Sequence, residues 1–252
     1  MDLDTIPNNR GYVLARRARS GVVTIIVHKR SDNGTLAEDS FGSGFVVRSE
    51  ANENYKLIVT NYHVLAGNLG WRDNPKDMVI LVRKDDWERQ ATCVRYHVLG
   101  DLALLRVYGV PRRLPKVRFA QSSTDVPIGT SSVFAVAYTF PEALPGYDFG
   151  VPTILPSVTP GVLAGPLIEW PMQDGYVRTY LTATTAGTEG NSGGALIHRG
   201  KSIGIICSLL EQTMLVLPVE HFAATLREWV NAPPDVHYTI EEMLHPDMLQ
   251  DE

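Results

Sequence analysis

Residues 184–197 read TTAGTEGNSGGALI, four glycines and one serine ahead of an apolar run. Glycine costs backbone entropy, so such a cluster marks a chain that turns sharply or approaches something closely. A plain loop entering a strand meets that requirement. So does a serine, Ser192, presented to a substrate beside bare backbone N–H groups. Gly190–Gly194 also fits G-x-S-x-G, the strand-to-helix elbow of α/β-hydrolases, which places its acid and histidine after the serine in alternating strands and helices. Only 60 residues follow Ser192, most of them one helical segment and an acidic tail. The elbow reading is therefore poor.

The sequence before the serine is strand upon strand. GVVTIIVHK (21–29), GSGFVVRS (42–49), KLIVTN (56–61), DMVILVRK (77–84), ATCVRYH (91–97) and LALLRVY (102–108) form a first set of short apolar runs between turn signals. VRFA (117–120) and PIGTSSVFAVAY (127–138) open a second set. PSVTPGVLAG (156–165), GYVRTYLTA (175–183), GALIHR (194–199), SIGIICSLL (202–210) and MLVLPV (214–219) continue it. No helical period separates them, which points to antiparallel sandwiches or barrels, with the polar segment 110–125 as the joint. Phe222, Thr225, Leu226, Trp229 and Val230 make a helical stripe that Pro233 and Pro234 stop. A short helix is also expected in GYVLARRARS, with Arg16, Arg17 and Arg19 solvated. The Pro/Gly-rich loop 139–156 is long enough to suggest a functional role.

Composition narrows the function classes. The chain has 252 residues, 44% hydrophobic and 20% charged, the balance of an ordinary globular protein with a core of normal size. Its net charge of −5 argues against nucleic-acid binding. The tail 233–252 holds six acids and no Lys or Arg; a solvated tail is the bland expectation, against which stand the apolar residues Tyr238, Ile240, Met243, Leu244 and Met248. Two cysteines, Cys93 and Cys207, make a poor disulfide framework and read as buried free thiols of a reducing compartment. No secretory signal or membrane span is visible, so a chain starting naturally at Met1 is expected in the cytoplasm, with no membrane partner. His28, His97, His198, His221, His237 and His245 show no paired metal-ligand spacing, so neither metal nor cofactor is expected.

Upstream of Ser192, His63 sits in LIVTNYHVLAG just past an apolar strand, and Asp101 sits in VLGDLALLRV at the mouth of another. Each alone is unremarkable. Together with Ser192 they give the chain order His, Asp, Ser, that of chymotrypsin-type peptidases. The segments TNYHVLAG, GDLALLRV and GNSGGAL resemble the three signatures of trypsin-like serine peptidases, in particular the Deg/HtrA branch. GSGFVV, SVTPGVLAG and MLVLPVEHF extend the resemblance over about residues 20–230.

The resemblance implies an all-β fold of two six-stranded antiparallel barrels and a C-terminal helix. The first barrel would span about 20–112, the second about 122–218 and the helix about 218–231, within a peptidase domain of 1–232 followed by the tail. It implies a serine endopeptidase acting on protein or peptide substrates through an acyl-enzyme. Ser192 would be nucleophile, His63 general base and acid, and Asp101 the residue that orients the imidazole. The backbone N–H groups of Gly190 and Ser192 would form the oxyanion hole, supported by Asn191. Asn191, where digestive-type relatives carry aspartate, implies no activation by an N-terminal cut, so control falls to loop ordering or a partner protein. By offset, the primary substrate pocket would have Ala186 at its base, Gly187, Thr188 and Glu189 along its wall and rim, and Ile206, Cys207 and Ser208 opposite. With no acid at that base, small or apolar P1 side chains are expected. The branch's usual PDZ partner domain is not expected here. The competing reading is a catalytically silent peptide-binding or regulatory module on the same fold.

Overall fold

The computed structural model describes residues 10–30, 36–50, 52–66, 78–110, 114–139, 155–172 and 175–249. A helix, α1 (Arg10–Ala18), leads through a single 3₁₀ turn into six strands. These are β1 (Val22–Arg30), β2 (Leu36–Arg48), β3 (Tyr55–Thr60), β4 (Val79–Lys84), β5 (Trp87–His97) and β6 (Leu102–Tyr108), with a short helix, α2 (Tyr62–Ala66), after β3. They close into an antiparallel barrel in the order β1-β2-β3-β6-β5-β4. The second half contributes β7 (Ser132–Ala137), β8 (Ser157–Val162), β9 (Ile168–Pro171), β10 (Val177–Ala183), β11 (Ala195–His198), β12 (Lys201–Leu210) and β13 (Thr213–Pro218). Helices α3 (Val219–Trp229) and α4 (Ile240–Met243) end the chain.

The second set forms a seven-stranded sheet, β8-β7-β11-β12-β13-β10-β9, not the six strands expected. The extra strand, β9, is a short hairpin partner of β10. The other six curl toward closure: a bridge joins Leu163, just past β8, to Ala183 at the end of β10. Backbone bonds from Thr184 N–H to Val162 O and from Ala164 N–H to Thr182 O flank it. The expected strand at 117–120 is reduced to one bridge, Phe119 to Ser202. Most of the long loop 139–156 lies outside the described residues.

The near-continuous apolar strands are explained by two buried faces. Successive side chains point to opposite sides of a strand, so Ile58, Ala103 and Leu105 fill the first barrel while Leu57, Val59, Leu102 and Leu104 enter a second core. Leu196, Met214 and Val216 fill the second barrel, while Ala195, Ile197, Leu215 and Leu217 face the same second core from the other side. That shared core, capped by Phe222 and Leu226 of α3, holds the two halves together. The tail is anchored: Met243, Leu244 and Leu249 are buried in this core, while Asp235, Glu241, Glu242 and Asp247 are exposed. No helix among the described residues is long and apolar enough to cross a membrane.

Candidate active site

Asp101 occupies the turn between β5 and β6 with φ +55°, a left-handed conformation that aspartate tolerates better than most residues. Its N–H donates to Val98 O, and its carbonyl accepts from Asn61 Nδ2 at 3.0 Å. The carboxylate is buried and meets His63 twice. His63 N–H donates to Oδ1 at 2.9 Å, and Nδ1 lies 2.8 Å from Oδ2. A carboxylate acceptor assigns the proton to Nδ1, which leaves Nε2 as the ring's free acceptor. His63, just past strand β3, lies on the first turn of α2.

Ser192 comes from the second barrel, in the loop between β10 and β11. That loop is tied to β2 of the first barrel by Ser43, which the sequence does not single out. Ser43 N–H donates to Ser192 O at 2.7 Å, and Ser43 Oγ donates to Gly190 O at 2.7 Å while accepting from Tyr138 N–H. Asn191 staples the loop: its Oδ1 accepts from Thr188 N–H and its Nδ2 donates to Tyr138 O, each at 2.8 Å. Gly190 and Gly193 have φ of +85° and +84°, accessible to glycine without strain. Among the described residues, neither Gly190 N–H nor Ser192 N–H has a protein acceptor. Two adjacent unpaired donors beside a serine hydroxyl suit a developing oxyanion.

Two side chains back the carboxylate. Cys207 is the bulged residue of β12, between the pairs Ile206–Val216 and Ser208–Leu215. A bulge re-aims the chain locally, and here Cys207 Sγ–H donates to Asp101 Oδ2 at 3.1 Å. The Cys207 carbonyl accepts from Ser192 Oγ at 2.8 Å, and no hydrogen bond joins Ser192 to His63. Arg178 of β10 places Nη1 3.9 Å from Asp101 Oδ2.

Burial works to lower the His63 pKa, but the charge of Asp101 and its hydrogen bond outweigh this and hold the imidazole above its ordinary value; Arg178 pulls the other way. Burial works to raise Asp101, and the charge and hydrogen bond of His63, then Arg178, hold it below the carboxylate range. Burial and the adjacent Asp101 charge push the Cys207 thiol well up, so it stays a neutral donor. His63, Asp101 and Cys207 are the one group among the described residues with clustered metal-ligand chemistry, within 4.8 Å. Their atoms are already joined by hydrogen bonds, with a guanidinium behind the carboxylate. That arrangement fits proton transfer better than a bound cation.

A family model for the trypsin-like peptidase domain matches residues 42–205, well over half of the chain, including His63, Asp101 and Ser192. The chain belongs to the trypsin-like peptidase domain family. Comparison with curated proteins gave no significant match. A peptidase domain of this kind is a hydrolase of protein or peptide substrates, and His63, Asp101 and Ser192 line one cavity of about 330 Å³ together with Trp170, Met172 and Leu215. A larger cavity, about 950 Å³, lies between segment 116–121, α3 and the tail and shares no residue with this site.

Ala186, expected at the base of the substrate pocket, is exposed; Thr185, beside it, is buried, and its hydroxyl donates to Met214 Sδ at 3.0 Å. Gly187 faces Leu209 and Met214, whose terminal carbons lie 2.9 Å from where a Cβ would stand. Thr188, Glu189 and Ser208 are exposed, and Ile206 and Cys207 are buried. Met214 could not be found by offset from the serine, because strand β13 delivers it from 22 residues beyond; Thr185 and Leu209 each sit one residue beside the offset positions Ala186 and Ser208.

Proposed function

We propose that this peptidase domain is a serine endopeptidase working through an acyl-enzyme. The observation that supports it most is the doubly hydrogen-bonded His63–Asp101 pair facing a cavity shared with Ser192. Rotation of Ser192 about Cα–Cβ frees its hydroxyl from the Cys207 carbonyl and presents it to His63 Nε2. The imidazole takes the proton as Oγ attacks the substrate carbonyl, then returns it to the leaving amine. Asp101 holds the tautomer and stabilises the imidazolium. Gly190 N–H and Ser192 N–H receive the oxyanion, each such donor contributing about 10²–10³ in rate.

Thr185, Met214 and Leu209 fill the space against Gly187 and restrict P1 to small side chains such as Gly, Ala or Ser. Asn191 is satisfied by Thr188 N–H and Tyr138 O, so no N-terminal cut is needed. Regulation falls instead to release of Ser192 from Cys207.

The alternative is a peptide-binding module that never turns over, favoured by the one contact that points Ser192 away from its base. Fluorophosphonate labelling separates the two. The endopeptidase reading expects labelling of the wild type that disappears in Ser192→Ala and His63→Ala. A wild type that never labels, with or without peptide present, leaves the binding module.

A further inference from the structure

Arg178 is 4% exposed and belongs to the second barrel, yet its guanidinium crosses to the first. Nε donates to Leu99 O and Nη2 donates to Val98 O at 3.1 Å. Nη1 reaches the Tyr180 hydroxyl at 3.4 Å and stands 3.9 Å from Asp101 Oδ2. Val98 and Leu99 belong to the same tight turn as Asp101, whose N–H is bonded to Val98 O. The fork of the guanidinium therefore grips the turn that sets the position of Asp101, and it does so from the strand that leads into the Ser192 loop.

We propose that Arg178 is a positioning residue for the His63–Asp101 pair, fixing the first-barrel half of the site to the second-barrel half and setting the base strength of His63 through Asp101. The proposal rests on the serine-peptidase reading. A buried carboxylate needs a compensating charge, and whenever His63 is neutral Arg178 supplies it. When His63 takes a proton, the cation behind the carboxylate weakens the attraction that Asp101 offers, so the imidazole gives the proton up again more readily.

The other groups around the pair are accounted for. Cys207 on β12 and Tyr180 on β10 are uncharged, the first pushed well up and the second raised to about 12 by burial. His221 on α3 bonds Gly100 O through Nε2, and burial lowers its pKa. His97 on β5 accepts from Gly100 N–H through Nδ1 and pairs outward with Glu228 of α3. Arg178 is the one permanent cation among them.

The test uses the full chain as wild type, Arg178→Met and Arg178→Lys. It reads the His63 ring titration by NMR, assigned by signal loss in His63→Gln, and the pH profile of Ser192 labelling by a fluorophosphonate. Arg178→Met removes charge and fork. Its His63 titration moves upward and its plateau labelling rate falls about 10- to 100-fold, as for a misplaced catalytic pair. Arg178→Lys keeps the charge without the fork, so the titration stays near the wild-type value while the plateau falls. A titration unmoved in Arg178→Met, or an Arg178→Lys chain that labels as fast as wild type, overturns the proposal. If Arg178→Met does not fold, Arg178→Lys decides by its labelling rate. If the wild type itself never labels, the peptidase reading fails, and the NMR titration still decides whether Arg178 tunes the pair.

Discussion

Ser43 shows how much of this site is held from outside it. Its hydroxyl joins Gly190 O to Tyr138 N–H, its N–H holds Ser192 O, and its carbonyl accepts from Thr60 Oγ1. Ser43→Ala leaves a buried carbonyl and a buried N–H without their partner, a loss of about 1–3 kcal/mol in chemical denaturation. It also slows Ser192 labelling, because the Gly190 peptide loses its anchor.

The His63–Asp101 pair makes a second prediction at the same scale. The His63 pKa is raised by Asp101 against its burial, so labelling falls as pH drops through a value above the ordinary 6.5. The signs for stability differ. A raised histidine contributes stability that is fully present below its unfolded value and is lost as pH rises through the folded one. The depressed Asp101 contributes stability present above its unfolded value of 3.8 and lost as pH falls through the folded one. The pair thus stabilises most between the unfolded carboxylate and unfolded histidine values, while activity is greatest on the alkaline side. Melting temperatures of wild type minus Asp101→Asn, taken across pH, check this; a difference that grows steadily toward alkaline pH contradicts it. His63, Asp101 and Ser192 were legible as residues because their neighbours are distinctive. Ser43, Cys207 in its contact with Asp101, and Arg178 were not, because each acts on the site through a partner at least 77 residues away.

At the level of elements, the glycines of the opening motif do separate jobs. A Cβ on Gly193 would stand 2.0 Å from Ser43 O and 2.4 Å from Thr60 Oγ1, both fixed on the first barrel. Gly193→Ala therefore forces the two barrels apart and is expected to prevent a stable fold or to abolish labelling. Gly129 has a comparable φ of +72° with nothing within 4 Å of where a Cβ would stand, so Gly129→Ala costs only the backbone strain, about 1–2 kcal/mol. Thermal melts of the two variants give the contrast directly, and equal losses would refute the contact argument. Most strands were legible from their apolar runs, including those buried on two faces. β9 was not, since IEWP is short, carries Glu169 and ends in proline, and among the described residues it pairs with β10 alone. The bulge at Cys207 was equally silent, because bulges are set by pairing register and not by composition.

For the molecule as a whole, the acidic tail changes the count of what holds the barrels together. Its charge suggested solvation, and its apolar residues suggested packing; the packing prevails because the acids of α4 face outward. Thr239 caps α4, accepting from Glu242 N–H, while the Glu242 carboxylate accepts from Thr239 N–H. That reciprocal box fixes the turn that delivers Met243 and Leu244 to the core shared by both barrels and α3. A side chain buried there acts on both halves at once. Leu244→Ala should cost about 2–5 kcal/mol, the range for a large-to-small change in a packed core, whereas a solvated tail would lose less than about 0.5 kcal/mol. The tail contributes nothing to the cavity that holds Ser192. Labelling per folded molecule should therefore stay near the wild-type rate well below the melting temperature. A melt shifted down with labelling intact assigns the tail to the joint between the barrels; a melt unchanged returns it to solvent.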